Sequence, residues 1–307
     1  MKKFFQYAMM VFALLFIGII ALSIAGIFSF VNTSQPSLKE ASILHLQLKG
    51  VITGEDEFLE HLVEYRDDDH IKGVLIEVDS PGGVVGPSQE IYAELKRVRE
   101  ELNKPVVVSC NALAASGAYY AAVAADRIFA NPGTLMGSIG VIMQFTNLEK
   151  LYNWAKMDFF TITTGKYKDS GSPYRSMRED ERQLFQGMID EVLVQFKDAV
   201  KAGRKNLRSD DLDQYADGRV FNGIFAVKHG FADELGTFED AKRYIGELTG
   251  LGKKPHLFKP KDTPENLIEW LNQNTKFESS AHQLIREILP VQLAGKPLFL
   301  MPGVLGR

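Results

Sequence analysis

The sequence predicts an α/β protein preceded by one N-terminal transmembrane helix. Three observations carry this: a long uncharged run near the N-terminus, two apolar β-branched runs separated by a helical pattern, and small-residue stretches placed directly after those runs.

The uncharged run is AMMVFALLFIGIIALSIAGIFSFV, the 24 residues from Ala8 to Val31. At ~1.5 Å of rise per residue, such a helix crosses a hydrocarbon core of ~30 Å. Lys2 and Lys3 precede it and no basic residue follows until Lys39, so the positive-inside bias holds the N-terminus in the cytoplasm. Ser23 and Ala25, before Gly26, offer the small residues of a cleaved signal peptide, but the apolar run continues past them and favours an uncleaved anchor. The expected organisation is a stub and anchor over 1–35, a soluble domain over 36–246 and an appended segment over 247–307. The expected location is the cell membrane, single-pass, with the soluble domain on the extracytoplasmic side.

Charge excludes one class of partner. The 35 basic and 39 acidic residues are spread along the chain, and no basic stripe tracks a phosphate backbone, so nucleic acid is not an expected ligand. The single cysteine, Cys110, cannot form an intrachain disulfide, and its setting in VVVSC reads as a buried thiol.

Residues 32–40, with Pro36, form a polar linker. Ile43 to Leu48 alternates as a strand, while Gly73–Val78 and Val106–Cys110 are the apolar runs of strands covered on both faces. Between those two, Ile91, Leu95, Val98 and Leu102 recur at helical spacing over Ser88–Leu102, which completes a βαβ crossover. The pattern continues with a helix over Ser116–Ala125, a strand over Arg127–Ala130, and apolar segments at Gly140–Met143 and Phe159–Thr164. Ser176 and Glu179 read as a capping box opening a long helix. Leu184, Phe185, Met188, Ile189, Val192, Leu193, Phe196 and Val200 form its apolar stripe, which faces the sheet or a neighbouring subunit. Beyond Gly252, Thr263-Pro264 starts a further amphipathic helix.

Parallel α/β sheets bind ligands at strand ends, and three stretches sit there. Asp79-Ser-Pro-Gly-Gly83 reads as a strand-to-helix turn whose glycines let an amide face a ligand oxygen. Asn111-Ala-Leu-Ala-Ala-Ser-Gly-Ala-Tyr-Tyr120 places Ser116 among residues with almost no side chain, at a helix start, with the Gly117 amide next to it. Taken alone, Ser116 reads more readily as an N-cap than as a nucleophile, and Ala114 and Ala118 replace the glycines of the strict nucleophile-elbow motif. A nucleophilic serine needs a base. None of His45, His61, His70, His229, His256 and His282 lies in a glycine-rich loop after a core strand. Thr164-Gly-Lys-Tyr-Lys-Asp-Ser-Gly-Ser-Pro173 presents Lys166 and Lys168, and a lysine stripped of water can accept a serine proton. Either lysine by itself reads as a solvated surface charge.

The set, taken in order, resembles the signal peptide peptidase A family of serine–lysine peptidases. It comprises SPGG, ASGAYY, Met136-Gly-Ser-Ile-Gly-Val141, GKYKDSGSP, Asp217-Gly-Arg-Val-Phe-Asn-Gly223 and Asp233-Glu-Leu-Gly236, across residues 41–245. The resemblance implies Ser116 as nucleophile, Lys168 as general base, Ser138 as the hydroxyl that orients the base, and Gly83 and Gly117 as oxyanion amides. It further implies a crotonase/caseinolytic protease-like core of repeated β-β-α or βαβ units. It implies a homo-oligomer with active sites between subunits, signal peptides and short apolar peptides as substrates, and no cofactor or metal. Two rivals share the fold. An acyl-CoA enzyme would need a carboxylate site that the glycine-rich loops do not supply, and a scaffold without chemistry would have no use for both Ser116 and Lys168. The apolar tail Leu298–Leu305 is expected to pack on the body, touch the membrane or enter a substrate groove.

Overall fold

A computed structural model describes residues 38–54, 57–260 and 296–301, together with Gly18. The expected anchor over Ala8–Val31 and the helix expected after Thr263 lie outside the described residues. No helix among the described residues is long and apolar enough to cross a membrane. The chain divides into two units, of which Met1–Ser37 with Pro260–Asn274 falls almost wholly outside the described residues. The other, Leu38–Lys259 with Thr275–Arg307, carries the fold.

That fold is α/β, built on a mixed, mainly parallel sheet. Strands β1 (Ser42–Ile52), β2 (Ile71–Val84) and β3 (Val106–Ala115) pair in parallel as its centre. Helix α1 (Glu57–Tyr65) links the first two, and α2 (Val85–Glu100) links the second and third, so the expected βαβ crossover is present. β4 (Arg127–Ala130) and β5 (Leu135–Gly137) both pair in parallel with β3, and β6 (Val220–Asn222) adds antiparallel to β5. β7 (Glu234–Leu235) pairs with β4, β8 (Leu257–Phe258) extends the sheet beside β1, and β9 (Leu298–Leu300) runs antiparallel to β2.

The continuous apolar runs are explained by burial on both faces. Side chains alternate across a strand, so Val74, Ile76, Val78, Val106 and Val108 enter one core cluster while Leu75 and Val107 enter a second. The first cluster includes buried side chains of α1, α2 and the helix after β3. The second is closed by Ala241 and Ile245 of a late helix, Phe238–Leu248.

Four local expectations are corrected. SPGG is not a turn: β2 continues through it to Val84, because β1 pairs along one side and β9 along the other. The long helix spans Glu179–Gly203, so it begins beyond Ser176. Ser176 instead donates to Glu149 Oε2 at 2.8 Å, and the cap comes from Glu181, whose carboxylate accepts from Arg178 N at 3.0 Å. The apolar stripe of that helix divides: Phe196 and Val200 are buried, whereas Leu184 and Met188 are exposed. The segments 140–143 and 159–164 form no named strand, although Ile142 makes an antiparallel bridge to Leu298.

Candidate active site

β3 ends at Ala115 and helix α3 (Gly117–Ala122) begins two residues later, so Ser116 alone makes the reversal between them. Its backbone sits at φ 53°, ψ −116°. Among the described residues, Asn103, Ser116, Ser138 and Lys156 are the non-glycine residues at positive φ. Asn103 and Lys156 are exposed, while the two serines are buried. Strain of this kind costs about 1–3 kcal/mol per residue and persists where the surroundings enforce it, characteristically at functional sites. Here Ser116 N donates to Gly137 O at 2.7 Å and Ser116 O accepts from Tyr120 N at 2.8 Å. The turn therefore has the strained strand-to-helix form of a nucleophile elbow, with alanines at 114 and 118 where the motif has glycines. The Ser116 hydroxyl is fully buried and has no hydrogen-bond partner among the described residues.

The two glycine amides meet beside it. A Cβ placed on Gly117 would lie 2.3 Å from Ser88 Oγ and 3.1 Å from Gly83 N. One on Gly82, at φ 93°, would lie 2.6 Å from Gly117 N. The backbone of β2 thus reaches the Ser116 turn at a distance no side chain tolerates. Ser138 follows Gly137, the residue whose carbonyl holds Ser116 N, and its own amide donates to Arg219 O at 2.8 Å. Gly218 N in turn donates to Ile139 O at 2.9 Å, so the Asp217–Gly223 stretch is tied to the stretch carrying Ser138. The structure brings Ser116, Ser138, Gly83 and Gly117 together at the C-terminal ends of β2, β3 and β5.

Lys168 is placed differently. It lies exposed in a turn-rich segment and makes no hydrogen bond to Ser116 Oγ. Its neighbours are held firmly. Arg175 donates through Nε to Asp169 Oδ2 at 3.0 Å and through Nη2 to the Asp169 carbonyl at 3.1 Å. The same guanidinium grips Glu181 through Nη1 to Oε2 at 2.9 Å and Nη2 to Oε1 at 2.5 Å. Glu181 is fully buried, and its hydrogen bond from Arg175 is the main cause that lowers its carboxyl to about 2. Arg178 Nη2 also donates to Lys166 O at 2.9 Å. The lysine segment is therefore pinned to the first turn of the long helix.

Other supports were not evident in the sequence. Tyr119 OH donates to Phe231 O at 2.8 Å from a fully buried position, anchoring α3 from below. Buried Arg204 bonds Asp233 Oδ2 at 2.5 Å and also donates to the carbonyls of Val123 and Ala125, just past the C-terminal end of that helix. A cation at exposed helix carbonyls is favourable. His45 packs its ring against Phe238, and its ring nitrogens have no hydrogen-bond partner among the described residues. Burial holds the His45 ring down to about 4, and His229 Nδ1 lies 3.2 Å from Asp211 Oδ2. Cys110 is buried, as its apolar setting predicted, and burial pushes its thiol up to about 12.

A strained, buried serine at a strand-to-helix turn where the glycine backbones of β2 and α3 come close, on a mainly parallel α/β sheet, is the arrangement of a serine-hydrolase site. Residues 99–252 match the model of peptidase family S49, and the chain belongs to that family. A relative in Enterococcus faecium, "Putative signal peptide peptidase SppA", is 33% identical over 262 residues, covering 81% of this chain and 72% of that one. "Putative protease slr0021" of Synechocystis is 43% identical over 178 residues, 58% of this chain and 63% of its own length. The chloroplastic "Serine protease SPPA" of Arabidopsis thaliana is 34% identical over 182 residues, 59% of this chain and 26% of that protein.

Proposed function

We propose that this chain is a membrane-anchored serine endopeptidase that degrades cleaved signal peptides and other short apolar peptides. One observation carries the reading: the partnerless Ser116 hydroxyl at a strained turn, next to the amides of Gly83 and Gly117. Lys168, as a neutral amine, takes the Ser116 proton as Oγ attacks the peptide carbonyl. The oxyanion accepts hydrogen bonds from the Gly83 and Gly117 amides, and collapse expels the amine, which takes the proton from Lys168. Water then attacks the acyl-enzyme by the same route. Ser138 orients the lysine amine. Removing one oxyanion donor or one member of such a set costs on the order of 100-fold or more in turnover.

The base reaches the serine from an adjacent subunit. Support comes from the exposure of Lys168 in the single chain and from apolar surface close to it in sequence: Trp154, Phe160 and Ile162 are 82%, 87% and 93% exposed. Contiguous exposed apolar residues mark interaction surfaces. The uncharged run over 8–31, read as an anchor, supports a site held at the bilayer, with the catalytic domain outside the cytoplasm.

The test is hydrolysis of a fluorogenic apolar peptide by the full chain in detergent, by Ser116→Ala and by Lys168→Ala. Both variants are expected to be inactive, and activity is expected to return when the two are mixed and reassembled. Equal activity of all three would overturn the assignment. Inactive variants that stay inactive when mixed would return the lysine to its own chain.

A further inference from the structure

Helix α2 turns one face to the core, and its buried residues are Val85, Ser88, Ile91, Leu95 and Val98. They follow the spacing of an apolar helical stripe, in which Ser88 is the polar exception. It is fully buried. Alanine is the better helix former and brings no hydroxyl into the core, so neither helix propensity nor burial calls for serine at this position.

The Ser88 hydroxyl meets both backbones that carry the glycine amides. It donates to Val84 O at 2.9 Å, the carbonyl of the residue after Gly83 at the end of β2. On its other side stands Gly117, the first residue of α3. A Cβ built on Gly117 would lie 2.3 Å from Ser88 Oγ, closer than to any other atom, with Gly83 N next at 3.1 Å. The strand side is fixed as well, because Gly82 N donates to the buried Ser80 Oγ at 3.1 Å. In a close-packed interior such contacts set the separation of the backbones they join. The space of one oxygen atom is too small to hold a water, so its loss is made good only by movement of the neighbours.

We propose that Ser88 is a positioning residue of the active site: wedged between Val84 O and the α-carbon of Gly117, its hydroxyl sets the separation of the Gly83 and Gly117 amides. This rests on the peptidase reading above, and Ser88 acts through the two amides, not on the substrate. Oxyanion donors work at about 2.7–3.1 Å from the developing charge, and a misplacement of ~1 Å costs on the order of 100-fold, so a shift of about half that size is worth about tenfold.

The test uses the full chain in detergent and a fluorogenic apolar peptide. Ser88→Ala is expected to fold, because alanine is smaller and favours the helix, and to lower kcat about tenfold or more with KM within about twofold of wild type. A peptide aldehyde, whose adduct on Ser116 sets its oxygen at the two amides, is expected to lose affinity by a similar factor. Binding of an intact apolar peptide to the Ser116→Ala chain is expected to be unchanged when Ser88→Ala is added. An unaltered kcat, or a loss of peptide binding as large as the loss of kcat, would overturn the proposal. The contact itself is read without turnover. Gly117→Ala drives its Cβ against Ser88 Oγ and is expected to lower Tm. Adding Ser88→Ala leaves Gly83 N at 3.1 Å and Phe299 Cβ at 3.2 Å as the nearest atoms, and is expected to return roughly half of the lost Tm or more. Purely additive shifts would overturn the wedge. Restored Tm in the double variant, with no peptide hydrolysis by wild type, would remove the peptidase reading and leave Ser88 a packing residue. Hydrolysis by wild type that Ser88→Ala matches would keep that reading and remove the role of Ser88.

Discussion

Replacing Ser116 is expected to stabilise the protein while abolishing its activity. Two unfavourable features meet at this residue. The backbone at φ 53° costs a non-glycine residue about 1–3 kcal/mol, and a buried hydroxyl without a partner costs about 1–3 kcal/mol more. Ser116→Ala removes the second and keeps the first, so a gain of about 1 kcal/mol is expected. Ser116→Gly removes both and loses about 0.5–1 kcal/mol in chain entropy, which leaves it about 1 kcal/mol above the alanine variant. For a folded unit of this size each kcal/mol moves Tm by about 2–4 °C. Calorimetry should therefore rank the melting temperatures glycine, alanine, wild type, from highest to lowest, with peptide hydrolysis lost in both variants. A glycine variant that melts at or below wild type would refute the idea that this turn is held in strain for the sake of its serine.

The remaining expectations concern the supports of the site. Arg175→Lys cannot reproduce the five-bond grip on Asp169, Glu181 and the Ser176 carbonyl, so turnover should fall at least tenfold with little change in KM, and a variant with unaltered kcat would contradict a positioning role. Glu181 has a carboxyl lowered to about 2 in the folded chain, so its stabilisation is complete above the unfolded value near 4.5 and is lost as pH falls toward 2. Acid unfolding of Glu181→Gln should accordingly be flatter across that window than that of wild type. Gly83→Ala would set a Cβ 2.0 Å from Ile52 O, so β2 must part from β1, and destabilisation of about 3 kcal/mol or more should show in denaturant titration. The Cys110 thiol should ignore an aromatic disulfide reagent in the native protein and react once denaturant is added.

Much of this arrangement was written in local sequence. Val74–Ile76 and Val106–Val108 read as doubly covered strands because nothing polar interrupts them, and both are buried on two sides. Ser116, Ser138, Gly83 and Gly117 were each placed by a motif, and they converge because β2, β3 and β5 are neighbours in one sheet. Features that depend on distant partners were not legible. SPGG looked like a turn because two glycines and a proline disfavour strands, but β1 and β9 supply the pairing that keeps it extended. Ser176 looked like a cap, yet Glu149 claims its hydroxyl and Glu181 satisfies the helix start. The apolar tail was conspicuous in composition, but its register against Gly82–Val84 is a tertiary fact with no local signal. Lys168 carries no local mark of the role proposed for it either, and the Asp169 and Lys166 carbonyls near it are held by Arg175 and Arg178.

The central claim is that Ser116 is the nucleophile and depends on Lys168. Treatment of the full chain with a fluorophosphonate, followed by peptide mapping in a mass spectrometer, tests it directly. The account predicts one covalent adduct, on the peptide containing Ser116, absent in Ser116→Ala and strongly reduced in Lys168→Ala. An adduct on a different serine, or labelling of Ser116 that is indifferent to Lys168, would contradict it.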